Sequence, residues 1–319
     1  MAGIKEYLEY FENNARHWII GGYDDSAYNY PTATHRVRIV SKYISSLNKK
    51  GLKIADLGCG GGNLAFRLAG DGHNVLGIDQ SRKMIEIAEN SLKKLPKKLR
   101  ARVQFLRREI GRKMMPDKKF DVVTAMGLIG YLPDDRILFK IAGDLLKPNG
   151  YLLVSVRNRL FNMKSISFRT EKEIKNKNAL KLIKELGGLY NQVSLKDANR
   201  FVRNLKEAVS GFSENTAFDK KSARSPLEKH GLITPILKSE PRQSTPEELK
   251  KAASKCGFKY KAYYGVHPHL LDPALNKMLP PQLFNKISDC LGAFEHLPMS
   301  LAWSSVFMGV FQKNTKNNI

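Results

Sequence analysis

One glycine-rich stretch in the first fifth of the chain constrains the fold more than any other feature. From Lys53 to Asn63 it reads K-I-A-D-L-G-C-G-G-G-N, and a helix-like run follows over 64–69. This order indicates a buried strand, a tight loop and the start of a helix. Glycines are needed where the backbone takes a positive φ or where a ligand lies directly against it. A loop that only turns the chain is the competing interpretation.

The spacing of these glycines argues against a dinucleotide site. The pattern G-x-G-x-x-G would place its third glycine at Asn63, so it is not met. What remains is D-x-G-x-G-x-G, with Asp56 at the strand end. This pattern resembles the first motif of class I S-adenosylmethionine-dependent methyltransferases. A phosphate loop would present bare N–H groups, whereas an acid suits a ligand that carries an ammonium group, such as a methionine moiety.

A second acidic strand end supports the resemblance. The run Asn74–Asp79 is short and apolar and ends in a carboxylate about 20 residues beyond the glycines, where it can accept both hydroxyl protons of a ribose. Ser81 is expected to cap the next helix. Glu109-Ile110 stands where the family usually has an acidic and an apolar residue against the adenine. The predicted cofactor residues are Asp56, Gly58, Cys59, Gly60, Gly62, Asn63, Asp79, Gln80, Met84, Glu109, Ile110, Met126 and Tyr23.

Strands alternate with helices along most of the chain. The predicted strands are 52–57, 74–79, 103–106, 120–126, 151–156, 258–266 and 303–311. Strands and helices at this spacing predict an α/β fold with a doubly wound, seven-stranded, mostly parallel sheet, the Rossmann-like methyltransferase fold. The last strand is expected to be antiparallel. Ligands in such sheets bind at the carboxyl ends of the strands, where the glycines, Asp79, Glu109 and the 126–131 loop would meet.

The chain divides into four predicted parts. Residues 1–32 would form an N-terminal helix and aromatic lid, and 33–158 the cofactor-binding core. Residues 159–243 would form a helical insertion that covers the acceptor, and 244–319 would complete the sheet. Within these parts we expect Gly21-Gly22 to break the first helix. A capping box at 170–173 would start a helix that Gly187-Gly188 closes.

Charge and cysteine content bound the partners and the compartment. Lys and Arg total 54 and Asp and Glu 30, so the net charge is +24. This balance suggests an anionic partner (nucleic acid, a membrane surface or an acidic substrate), or charge spread over solvated faces. Three cysteines without a C-x-x-C pair, no secretory core and no run of about 18 apolar residues indicate a cytoplasmic protein without a transmembrane segment.

Two late histidines are the leading catalytic candidates. His267 and His269 follow a predicted strand and would point to one side of an extended backbone. An imidazole titrates near neutrality and is a natural base for a hydroxyl acceptor. Tyr131 and His35 are further candidates. Only Asp272 lies close enough in sequence to complete a metal site with the two histidines, so no metal site is expected.

The acceptor is the least constrained part of the prediction. Y-F-x-x-x-A-x-x-W near the start, R-N-R-L-F-N after strand five and H-P-H resemble bacterial small-molecule methyltransferases. This implies methyl transfer to an oxygen of a small molecule, a sugar or a lipid-linked intermediate. An RNA methyltransferase that uses the basic surface, and a cofactor-binding protein without catalysis, are the alternatives. No N-P-P-Y or RNA-binding module is present. The oligomeric state stays open.

Overall fold

A single mixed sheet forms the centre of this protein, which is represented by a computed structural model. The structure describes residues 2–23, 32–111, 114–115, 117, 119–190, 194–210, 239–272, 279 and 281–315. Within the predicted N-terminal lid (1–32) and insertion (159–243), residues 1, 24–31, 191–193 and 211–238 lie outside these ranges.

Seven strands form the sheet in the order β3-β2-β1-β4-β5-β7-β6. Their bounds are β1 Lys53–Leu57, β2 Asn74–Asp79, β3 Val103–Arg107, β4 Phe120–Met126, β5 Leu146–Arg157, β6 Phe258–Pro268 and β7 Ser304–Lys313. β1 to β5 pair in parallel, and β7 pairs antiparallel with both β5 and β6. The predicted fold class, including the antiparallel last strand, is confirmed.

Helices cover both faces of the sheet and extend beyond its edge. Their bounds are α1 Ala2–Asn13, α2 Ala15–Tyr23, α3 Thr32–Ser46, α4 Asn63–Gly70, α5 Arg82–Lys93, α6 Lys97–Arg100, α7 Asp135–Leu145, α8 Asn162–Ser165, α9 Phe168–Lys175, α10 Ala179–Tyr190, α11 Leu195–Val209, α12 Pro246–Lys255, α13 Pro281–Gly292 and α14 Ser300–Trp303. Two short 3-10 turns lie at Ile129–Tyr131 and Arg159–Phe161.

Side chains of the strands alternate between two apolar clusters, one on each face of the sheet. On one face, Phe139 of α7 and Leu249 of α12 are fully buried against β4, β5 and β7. On the other, Ile39 of α3 and Leu68 of α4 pack against β1 and β4. Burial on both faces is what the continuous apolar strands predict. It holds the carboxyl ends of the parallel strands at one edge.

The helix boundaries depart from the prediction at both glycine pairs. Gly21-Gly22 lies inside α2, where a Cβ on Gly22 would stand 3.2 Å from the Cβ of Ala33. These glycines let α2 pack closely against α3, so they do not break the helix. Gly187-Gly188 lies inside α10, and nothing in the structure explains why glycine stands there.

The single helix predicted between the capping box at 170–173 and Gly187-Gly188 is divided into α9 and α10. Ser167 and Thr170 form the capping box at the start of α9, three residues before the predicted one. A buried ion pair then ties α9 to the core, because Arg159 donates to both carboxylate oxygens of Glu173 at 2.8 and 2.6 Å. Arg159 also donates to Glu248 of α12 at 2.8 Å. The insertion is therefore anchored to the sheet's covering helices, while the four-part division of the chain stays a prediction.

No helix within the described ranges combines the length and apolar character that crossing a membrane requires.

Candidate active site

The glycine loop takes backbone conformations that favour glycine. Gly58, Gly60 and Gly62 have φ values of 70°, 52° and 84°, in the left-handed region that side chains disfavour. The N–H groups of Gly58 and Cys59 both donate to the carbonyl of Ile78 on β2, at 2.8 and 3.1 Å. The loop is therefore tied to the carboxyl end of the neighbouring strand.

Asp79 links this loop to the second strand end. One carboxylate oxygen accepts the N–H of Gly60 at 3.0 Å, and the other accepts the N–H of Ser81 at 2.9 Å. These bonds fix the orientation of the carboxylate, and each oxygen keeps a second lone pair for a ligand hydroxyl. Burial raises the pKa of Asp79, and the backbone N–H groups oppose that rise. The arrangement fits a ribose diol held beside the glycine loop.

Asp56 is the second carboxylate of this site. It is 2 % exposed, and the charge of another acid, Asp79, helps to raise its pKa. Burial raises the pKa of Asp56 to about 7, although the hydroxyl of Thr124 donates to it at 2.7 Å. A buried carboxylate with one hydrogen bond is well suited to receive the ammonium group of a ligand. The donor set therefore fits a molecule that carries both a ribose and an ammonium.

A cavity of about 830 Å³ opens above these residues and extends along the sheet edge. We call its two parts the glycine side, lined by Asp56, the Gly58–Gly61 loop, Asp79 and Met84, and the histidine side, lined by Tyr131, Ser155, Arg157, His267 and His269. The predicted site residues that line the cavity are Tyr23, Asp56, Gly58, Cys59, Gly60, Asp79, Gln80, Met84, Ile110, Met126, Tyr131, His267 and His269.

Three predicted cofactor residues are not among those that line the cavity. A Cβ on Gly62 would lie 2.5 Å from the ring of Phe105, so this glycine permits packing between the loop and β3. Asn63 is the first residue of α4, and Glu109 is exposed. Gly61, which was not predicted, does line the cavity, and Ile19 of α2 lies directly over it.

Aromatic side chains from the N-terminal helices close the cavity opposite the sheet. The ring of Tyr131 contacts those of Tyr7 and Phe11, with centroids 4.9 and 5.1 Å apart. Phe11 also contacts Trp18 at 5.3 Å. Tyr23 lies deeper, where burial raises its pKa to about 12. The rings of the predicted aromatic cover therefore pack on each other and on Tyr131, and they also line the cavity.

Ser305 joins the two candidate histidines. Its Oγ lies 3.0 Å from Nδ1 of His267 and 3.3 Å from Nε2 of His269, and the imidazole centroids are 4.4 Å apart. β6 continues to Pro268, but His267 has a φ of 54°, so the rings do not meet through the extended backbone that was predicted. Burial lowers the pKa of His267 well below its usual value and that of His269 to about 4. Both rings are neutral at pH 7.

His35 lies away from the cavity. Its Nε2 is 3.1 Å from the buried carboxylate of Glu295, to which Lys42 also donates at 3.3 Å. His35 is only 5 % exposed. This imidazole therefore belongs to an ion-pair cluster between α3 and the segment after α13.

Two arginines in the cavity were not predicted as site residues. Arg36 extends from α3 over Gly127, where a Cβ would come within 2.9 Å of its guanidinium. Arg157, at the end of β5, lines the histidine side. The sequence signals were the R-N-R-L-F-N run and an arginine on the buried side of α3, but charged residues on amphipathic helices usually face solvent. Within the described ranges, no set of three histidine, cysteine or acidic side chains could hold a metal ion.

Known proteins with similar sequences place this geometry in a family. A family model described as "Methyltransferase domain" matches residues 48–230, more than half of the chain. The ubiquinone biosynthesis O-methyltransferase of Coxiella burnetii is 36% identical over 121 residues, which are 38% of this chain and 50% of that protein. The corresponding protein of Histophilus somni is 31% identical over 158 residues, 48% of this chain and 64% of that protein. The chain spans about half the length of the curated relatives it matches.

A solved structure shares the fold. The magnesium protoporphyrin IX methyltransferase from Synechocystis PCC 6803, with bound S-adenosylmethionine, superposes with a TM-score of 0.55 at 11% identity and covers 98% of both chains. The sheet order, the glycine loop and the family match agree with one another. This chain therefore belongs to the methyltransferase-domain family and has the class I S-adenosylmethionine-dependent methyltransferase fold.

Proposed function

We propose that this enzyme methylates an oxygen atom of a small-molecule acceptor that binds on the histidine side of the cavity. The observation that carries the proposal is the pair of neutral imidazoles joined by Ser305 at that side. A neutral imidazole can accept the proton of an acceptor hydroxyl, which a protonated one cannot. The two relatives named above support an oxygen acceptor, because both are named as O-methyltransferases.

The dimensions of the cavity support a small acceptor. Its volume of about 830 Å³ lies within the range of roughly 300–1,000 Å³ that is typical of small-molecule sites. The cofactor must occupy part of it. Rings of α1 and α2 line part of it and would shield a bound acceptor from water on that side.

We assign the binding of the cofactor to the glycine side. Bound S-adenosylmethionine supplies an electrophilic methyl group. Asp79 would hold the ribose hydroxyls, Asp56 the ammonium and Arg36 the carboxylate of the methionine moiety. The positive φ values of the loop favour glycine. Because glycine has no side chain, the backbone of the loop could lie directly against the ligand. By holding the cofactor there, these residues would align it with an acceptor on the histidine side, and alignment of the two reactants provides much of the acceleration in such transfers.

His267 and His269 are then the candidate bases. An acceptor hydroxyl would give its proton to one of the two rings while its oxygen takes the methyl group. The Ser305 hydroxyl would hold the two imidazole rings in fixed positions, so Ser305 acts as a positioning residue. Tyr131, whose pKa is raised by burial, would donate a hydrogen bond in its neutral form and orient the acceptor.

Transfer of a labelled methyl group tests this proposal. The enzyme and labelled S-adenosylmethionine are incubated with three fractions of host material: polar small molecules, lipid extract and RNA. We expect label in a small-molecule or lipid fraction, and mass spectrometry should place it on oxygen. His267→Ala and His269→Ala should lower turnover more than cofactor affinity. Label that enters RNA alone would overturn the proposal in favour of an RNA methyltransferase.

A further inference from the structure

Two polar side chains on one face of β5 have no role in the transfer described above. Ser155 and Arg157 are alternate residues at the carboxyl end of this strand, so their side chains lie on the same face, and both line the cavity. Ser155 is fully buried, and its hydroxyl has no hydrogen-bond partner in the structure. A buried hydroxyl without a partner costs free energy unless a ligand supplies one.

Arg157 has no carboxylate partner among the described residues. No carboxylate in the described part of the chain lies within 4 Å of its guanidinium, or of that of Arg36. The two guanidinium groups are close enough that the charge of Arg157 helps to lower the pKa of Arg36, after the larger effect of burial. Like charges that lie close together repel each other, and an anion would relieve this repulsion.

The acids of the cavity do not supply that anion. Asp56 on β1 accepts from Thr124, and Asp79 on β2 accepts from Gly60 and Ser81. Neither of these strands is adjacent to β5. The single carboxylate of the cofactor would balance the charge of only one of the two arginines. Because Arg36 lies over Gly127, beside the glycine loop, it is the better placed for that group. Arg157 is left for the acceptor.

Aromatic rings line the same cavity as Arg157. The ring of Tyr131 packs with those of Tyr7 and Phe11. Burial raises the pKa of Tyr131, and the charge of Arg157 opposes that rise. The ring of Phe161, which also lines the cavity, lies 4.9 Å from that of His269. Aromatic rings and a cation in one cavity suit an aromatic ligand that carries an anionic group.

We propose that Arg157 and Ser155 bind an anionic oxygen group, a carboxylate or a phosphate, of an aromatic acceptor. This inference rests on the proposed function, because it assigns the histidine side to the acceptor. The planar guanidinium would donate two parallel hydrogen bonds to the anion, and the Ser155 hydroxyl would donate a third. The anionic group would thereby fix which hydroxyl of the ring faces His267 and His269.

Binding of matched aromatic probes tests the inference without any methyl transfer. The full chain, saturated with S-adenosylhomocysteine, is titrated with 3,4-dihydroxybenzoate, with phenyl phosphate and with neutral 3,4-dihydroxybenzamide. We expect at least one anionic probe to bind about tenfold or more tightly than the amide. Arg157→Gln should remove this preference and Ser155→Ala should reduce it. Arg203→Gln, on the exposed face of α11, should leave it unchanged.

The results separate the possible outcomes. A stronger preference for the benzoate or for the phosphate identifies the anionic group. Equal binding of the neutral and anionic probes by the wild type, or an unchanged preference in Arg157→Gln, would overturn the inference. So would a loss of S-adenosylhomocysteine affinity in Arg157→Gln with probe binding intact, because Arg157 would then hold the cofactor. Label entering RNA with the probe preference intact would contradict the proposed function alone.

Discussion

The carboxylate of Asp79 accepts the backbone N–H of Gly60 at 3.0 Å, and this bond joins the two strand ends that form the glycine side of the cavity. Gly60 has a φ of 52°, so its N–H reaches Asp79 through a conformation that favours glycine. The residue that would bind the ribose therefore also holds the loop that would face the rest of the cofactor.

Asp56 should make cofactor affinity depend on pH. Its pKa of about 7 in the free protein means that it is mostly protonated at pH 6 and mostly ionised at pH 7.5. The ionised form is the one that attracts an ammonium. We expect the affinity for S-adenosylhomocysteine, measured by calorimetry, to rise roughly eightfold over this range. Asp56→Asn should bind more weakly and without this rise. Wild-type affinity that is flat from pH 6 to 7.5 would contradict the assignment.

His269 should make the folded state sensitive to mild acid. Its pKa is about 4 in the folded protein and about 6.5 in an unfolded chain. The unfolded chain thus binds more protons between these values, so stability is present above pH 6.5 and is lost as the pH falls toward 4. Between pH 6.5 and 4.5 the wild type should lose roughly 2 kcal/mol more than His269→Gln in urea denaturation. His296→Gln, at an exposed site, is the control and should behave as the wild type.

Gly62 and Gly51 form a matched pair of positive-φ glycines. A Cβ on Gly62 would lie 2.5 Å from the ring of Phe105, whereas a Cβ on Gly51 would meet nothing within 4 Å. Gly51→Ala should cost about 1–2 kcal/mol through backbone strain alone. Gly62→Ala should cost about 2–5 kcal/mol because overpacking is added. Equal unfolding free energies for the two variants would show that Gly62 is not required for packing.

The Arg159–Glu173 pair should stabilise the insertion. Glu173 is 7 % exposed, accepts two hydrogen bonds from Arg159 and has its pKa lowered by that guanidinium. Glu173→Ala should lower the free energy of unfolding by about 1–3 kcal/mol. Glu171, on the same helix, pairs only with exposed Lys175 at 3.7 Å. Glu171→Ala should change stability by about 0.5 kcal/mol or less. Similar losses in the two variants would argue against a specific anchoring role for Glu173.

The sheet was predictable because its signals are local. The strands from Lys53, Asn74 and Phe120 are short apolar runs with acids or glycines at their ends, and a parallel arrangement brings those ends to one edge. Caps were predictable for the same reason. Ser81 accepts from Met84 at 3.1 Å, and Thr245 pairs with Glu248 as expected.

Residues whose roles depend on distant partners were not predictable. Gly60 and Gly62 look alike in sequence, but only the position of Phe105 on β3 distinguishes a glycine of the cavity from one of the core. Gly22 lies in a helix, and the residue against which its small size allows close packing, Ala33, is on α3. The R-N-R-L-F-N run contains Arg157 but does not predict its surroundings, since the strand order decides them.

One titration tests the central claim, that the glycine side binds the methyl donor through Asp79. S-adenosylhomocysteine is titrated calorimetrically into the wild type, Asp79→Ala and the exposed control Asp289→Ala, after circular dichroism has shown that all three are folded. We predict one ligand per chain for the wild type and the control, and no measurable binding for Asp79→Ala. Wild-type affinity in folded Asp79→Ala would contradict the account.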